Sequence, residues 1–119
     1  MHEMSIAVEL VRQVLAAAEP HAPTRVTAVT VSAGALQQVQ AEALELAWQS
    51  VAAGTAAAGA ALQLTETPAA ARCRACGRTF RPRIDDFTCP GCGQADVDIT
   101  AGRDIILTSL TCEPVEEAT

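Results

Sequence analysis

Two Cys-x-x-Cys-Gly turns, Cys73-Arg74-Ala75-Cys76-Gly77 and Cys89-Pro90-Gly91-Cys92-Gly93, constrain this chain more than any other stretch of it. Each turn points two sulfurs into one hemisphere, and the glycine after each pair lets the backbone turn sharply, so that its N–H groups approach the thiolates. Two such turns supply a tetrahedron. Four soft thiolates with no open position suit a structural, redox-silent ion, so zinc is expected on Cys73, Cys76, Cys89 and Cys92. A rubredoxin-like iron site, a pair of disulfides and thioredoxin-like redox cysteines are the alternatives, the last two disfavoured by the doubled, glycine-followed spacing. A closed four-cysteine site does no chemistry, and the function is to be sought elsewhere in the chain.

A chain of 119 residues makes one modest domain, or a small domain with a metal-held appendage, and the second option fits better. Half of the residues are apolar, but Trp48, Phe80 and Phe87 are the only aromatics, so the core is expected to be aliphatic and small. No apolar run reaches the roughly 18 to 20 residues of a membrane helix, and the first residues lack the basic and apolar regions of a signal peptide. A cytoplasmic protein is expected. Five cysteines, an odd number, argue against a secreted disulfide framework.

The net charge of −6 opposes binding to phosphate backbones. All eight basic residues are arginines, and Arg72, Arg74, Arg78, Arg81 and Arg83 crowd the first half of the cysteine module. Their first reading is charge balance against Asp85, Asp86, Asp96, Asp98 and the thiolates. A zinc-ribbon adaptor that grips protein or nucleic acid through those arginines is the competing class.

Helical spacing of Ile6, Leu10 and Val14, and of Ala7, Val11, Leu15 and Ala18, predicts a first helix from Met4 to about Ala18, ended by Pro20 and Pro23. Val26, Ala28 and Thr30 alternate with Thr27, Val29 and Val31, a first strand that Gly34 breaks. Leu44, Ala47, Trp48 and Val51 predict a second helix over Ala41–Ala53, with Gly54 beyond its C-terminus. The Ala, Gly and Thr of 54–61 read as a flexible connection. Leu62 and Leu64 mark a second strand that stops at Pro68. Inside the cysteine module, Phe80 and Phe87 are expected to pack on each other beneath the turns.

Asp104–Thr111 reads as a third strand. Two strands alone make no stable sheet, so the third is expected to cross back to the N-terminal layer, which makes the module an insertion. The expected fold is α+β: two helices on a small three-stranded sheet, with an inserted four-cysteine zinc-ribbon-like module. Residues 1–68 plus 103–113 would form one domain, 69–102 the zinc-binding domain, and 114–119 a frayed acidic tail. Cys112 is expected to be a buried or half-buried thiol rather than a fifth ligand. No repeat, phosphate loop or Ser/His/Asp set is present, and with His2 and His21 the only histidines, an enzyme is not expected.

A histidine at position 2 can act as a chelate. The amine of Met1 with the amide nitrogen and Nδ1 of His2 closes five- and six-membered rings around one ion, and the Glu3 amide or carboxylate fills a fourth position. Amine, deprotonated amide and imidazole together favour square-planar Ni(II) or Cu(II). The plainer reading is an exposed histidine near a helix start, with Glu3 serving the helix dipole.

Met1-His2-Glu3-Met4-Ser5, Val29-Thr30-Val31-Ser32-Ala33-Gly34, the two cysteine turns and Gly102-Arg103-Asp104-Ile105, in that order along the chain, together resemble the HypA/HybF family of nickel metallochaperones. The resemblance implies Ni2+ as transferred cargo on Met1, His2 and Glu3, and structural Zn2+ on Cys73, Cys76, Cys89 and Cys92. It also implies delivery to the [NiFe]-hydrogenase large subunit precursor with the GTPase HypB, in some organisms service to urease accessory proteins, and a monomer or homodimer. No nucleic acid and no membrane enters that picture. Family members carry an acid where Gln40 stands and a glutamate where Ala35 stands, so both carboxylates are lost here.

Overall fold

The structure, a computed structural model, describes residues 2–115, and of His2 its backbone only. Helix α1 (His2–Ala18) buries Ala7, Leu10, Val11, Val14 and Ala18, one stripe at three- and four-residue spacing. A 3-10 turn, Glu19–His21 with Pro20 inside it, closes the helix where its periodicity ends. Helix α2 (Ala41–Ala52) packs on α1 and buries Leu44, Ala47, Trp48 and Ala52. Gly54, just past its end, takes φ 78, the left-handed conformation that suits glycine beyond a helix terminus.

Six strands follow in chain order: β1 (Thr24–Gly34), β2 (Ala61–Thr67), β3 (Ala70–Cys73), β4 (Thr79–Phe80), β5 (Val97–Ala101) and β6 (Ile105–Pro114). They form two three-stranded sheets, ordered β2-β1-β6 and β4-β3-β5. The third predicted strand does cross back: Thr24 Oγ1 donates to Glu113 O, Thr27 Oγ1 to Thr111 O and Thr108 Oγ1 to Thr30 O. These partners rise on one strand as they fall on the other, so β6 runs antiparallel to β1.

The strict alternation expected along β1 is corrected by the structure. Its buried residues are Val26, then Val29, Val31, Ala33 and Gly34, so the inward phase slips by one between Val26 and Val29. At Val26 the backbone is engaged from a different side, since its N–H donates to Ala56 O at 2.9 Å.

That acceptor belongs to the 54–61 segment, whose expected flexibility is a second correction. Thr55 Oγ1 donates to Ala52 O at 2.6 Å, and the Ala58 and Ala60 N–H groups donate back to Thr55 O and Ala57 O. The Trp48 indole N–H donates to Ala60 O at 3.1 Å, and Ala57, Ala60 and Trp48 have no exposed surface. Small side chains, read as a sign of looseness, are what let this turn press against the indole.

The described residues form two compact units, one drawn from 2–31, 39–65 and 106–115, the other from Ser32–Gln38 and Glu66–Ile105. In the second, β3 pairs antiparallel with β4 (Arg72 opposite Thr79) and with β5 (Arg72 opposite Asp98, Cys73 opposite Val97). Its buried apolar residues are few: Ala33, Ala69, Ala71, Cys73 and Cys89. Phe80 and Phe87 are both half-buried.

Gly34 and Gly102 meet in this same unit. The Gly34 N–H donates to Asp104 O and the Leu36 N–H to Gly102 O, both at 2.8 Å. A Cβ on Gly34 would collide with the Gly102 carbonyl, and one on Gly102 would lie 2.5 Å from Ala69 Cα. Backbone approaches backbone here, which only glycine permits.

Candidate metal centre

Each cysteine turn is closed by the same pair of main-chain bonds. Gly77 N–H donates to Cys73 O and Gly93 N–H to Cys89 O, while Cys73 N–H donates to Arg78 O and Cys89 N–H to Gln94 O, all between 2.8 and 2.9 Å. The glycines that end the turns take φ 78 and 77. A Cβ on Gly93 would meet nothing, and one on Gly77 only the tip of Arg72, so glycine serves the backbone angle there and not the space.

The turns bring the Sγ atoms of Cys73, Cys76, Cys89 and Cys92 within 4.8 Å of one another. Cys73 and Cys92 are 3.5 Å apart across the turns, and Cys76 and Cys89 are 3.6 Å apart. A tetrahedral ion with metal–sulfur bonds of about 2.3 Å has sulfur–sulfur edges of about 3.8 Å. The four thiols therefore fit a closed, four-coordinate metal such as zinc. The first cysteine of each turn is buried and the second exposed.

Main-chain donors prepare thiolates. The Cys76 N–H holds the Cys73 thiol below its ordinary value. Burial opposes ionisation of Cys89, but the N–H groups of Cys92 and Gly91, with the Cys76 and Cys92 thiols, outweigh it and bring this thiol down to about 7; the Gly91 contact is 3.4 Å. The Gln94 N–H favours the Cys92 thiolate, yet the Cys73 thiol, burial and the other two thiols push Cys92 up to about 12. Crowded thiols cannot all ionise on their own, and a dication reverses that balance.

Arg74 is clamped by two aspartates, with NH1 2.7 Å from Asp96 Oδ1 and Nε 2.9 Å from Asp98 Oδ1. Its guanidinium holds Asp98 below the usual carboxylate range. Arg83 lies 3.7 Å from Asp85. Charge balance is thus the observed role of these two arginines. Sequence reasoning named both aspartates but not the clamp; the spacing Asp96-x-Asp98 just past the second turn was the available signal.

At the chain's start, Met1 and the His2 side chain lie outside the described residues. The Glu3 carboxylate accepts the Gln40 N–H at 3.3 Å. Gln40 offers no carboxylate, but its main chain meets Glu3, a contact that no local pattern reveals. Cys112 is half-buried on β6 and is not among the clustered thiols. No helix among the described residues is long and apolar enough to cross a membrane.

A closed four-thiol site held in an α+β frame defines a metal-binding protein. The family model described as "Hydrogenase/urease nickel incorporation, metallochaperone, hypA" matches residues 1–112, and the chain belongs to that family. It is 35% identical over 113 residues to Hydrogenase maturation factor HypA of Chlorobium phaeobacteroides, covering 95% of this chain and 100% of that one. It is 36% identical over 113 residues to its counterpart in Chlorobaculum tepidum, with the same coverage. The solution structure of the Ni metallochaperone HypA from Helicobacter pylori shares the fold, with TM-score 0.69 and 23% identity over 92% of this chain and 96% of that one.

Proposed function

We propose that this chain carries Ni(II) on Met1, His2 and Glu3 and passes it by ligand exchange to the [NiFe]-hydrogenase large subunit precursor, with the GTPase HypB as partner. The observation that carries the reading is the family match over residues 1–112, which includes the Met-His-Glu start. Structural zinc occupies Cys73, Cys76, Cys89 and Cys92, and the closed thiol set leaves that ion no open position for cargo. Residues 1–68 with 103–113 form the nickel-handling domain, 69–102 the zinc-binding domain, and 114–119 an acidic tail. Service to urease is the same chemistry with a second recipient. The setting is the cytoplasm.

Protons compete with nickel for amine, amide and imidazole nitrogens, so affinity falls about tenfold or more on acidification through the histidine range. Native mass spectrometry of tag-free protein during a nickel titration tests the site. One zinc and one nickel are expected in the wild type, with nickel lost and zinc kept in His2→Ala. A variant with one alanine inserted before His2 reads the register. Equal nickel binding in all three proteins would falsify the N-terminal site.

A further inference from the structure

We propose that the outward face of α2 is a docking surface for a basic segment of a partner protein that presents one large apolar side chain. Glu42, Glu45, Leu46 and Gln49 fall at i, i+3, i+4 and i+7 of the helix, a single stripe. They line a shallow groove of about 360 Å³. The inner face of α2 is complete without Leu46, since Leu44, Ala47, Trp48 and Ala52 already fill it. Leu46 is 73% exposed, more than Val8, Ile84, Ile106 or Val115.

Helix propensity does not call for leucine at that position, where glutamate or lysine would serve about as well. A lone exposed leucine is ordinary on a surface. The frame distinguishes this one: two carboxylates share its stripe within a turn, and α2 carries no basic residue. A ligand that covers Leu46 must also answer Glu42 and Glu45, because an acidic or neutral cover would strip water from them without replacing it. An apolar centre with a cationic rim is the complementary shape, and it matches the core-and-rim plan of protein interfaces.

The stripe begins two residues after Gln40, whose N–H meets the Glu3 carboxylate. A segment seated on α2 therefore lies close to Glu3, a proposed nickel ligand, where it would serve metal exchange. That purpose rests on the nickel-exchange reading; the docking itself needs no nickel.

The test uses isotope-labelled, nickel-free, full-length protein in about 0.15 M salt, where long-range attraction is screened. The probe is a synthetic helical peptide of lysine and leucine; its control has alanine at every leucine. Amide shifts are expected to centre on 42–49, with binding weakened about tenfold or more by Leu46→Gln and in the control peptide. Glu42→Gln/Glu45→Gln should weaken binding and flatten its salt dependence. Unchanged affinity in Leu46→Gln, or shifts centred on Asp85 and Asp86, would overturn the proposal by reducing it to general attraction of opposite charge. Concentration-dependent shifts at 42–49 without peptide would also overturn it, by making a second copy of this chain the occupant. Far-UV circular dichroism checks that Leu46→Gln keeps its helices. Because nickel is absent throughout, failure of the N-terminal site leaves this outcome untouched, and loss of docking leaves that site untouched.

Discussion

Gly102 and Gly54 both take positive φ, 93 and 78, and their surroundings separate them. A Cβ at Gly102 meets the Ala69 backbone, whereas one at Gly54 meets nothing. Gly102→Ala should therefore cost about 3 kcal/mol or more, strain and collision combined, and Gly54→Ala about 1 kcal/mol, strain alone. Urea unfolding of the two variants reads the difference, and equal losses would contradict the collision. At Glu9, Arg12 is the first cause and Gln13 the second of a carboxyl held down at about 2. A depressed folded value means that the stabilisation is present above the ordinary carboxylate range and lost as pH falls through about 2. In Arg12→Ala the Glu9 titration, followed by NMR, should rise toward the ordinary range, with Gln13 still holding it somewhat below. The four clustered cysteines could be read from spacing because the chemistry is local to each turn. The pairing of Gly34 with Gly102 could not, since it joins two turns far apart in sequence through bare backbone.

Among the elements, the two helices were legible because their buried stripes repeat at three and four residues, as Ala7, Leu10, Val11 and Val14 do. β3 to β5 were not, because Thr79–Phe80 and Ala70–Cys73 are too short to show a period, and their register comes from pairing with each other. Composition misled at 54–60, where alanines and glycines build a packed turn under Trp48. Replacing Ala57 by leucine should cost about 1–3 kcal/mol through overpacking. Trp48→Phe should cost a similar amount, about 1–3 kcal/mol, by leaving the Ala60 carbonyl without its donor. Hydrogen exchange gives a direct check: the Val26 and Ala60 amides should be protected well beyond those of an open loop.

For the whole molecule, the two units differ in what holds them. Leu44, Trp48, Val14, Val26 and Val29 give the first an apolar core. The second buries mainly alanine and thiol, too little apolar surface for a unit of its size. Chelation should consequently raise hydrogen exchange across 66–105 and leave α1 and α2 protected; uniform loss of protection would count against a metal-held module. Acid should act in the same direction, since protons retake the thiolates.

Thr30 and Thr108, which bond across β1 and β6, stand 78 residues apart. At about 5–20 residues per second of synthesis, β1 waits some 4–16 s on the ribosome for its last neighbour. Residues 66–105 are all translated within that interval. Both cysteine turns are thus in the chain before β6 is made, so the thiol cluster has all its residues before the N-terminal sheet can close around its last strand.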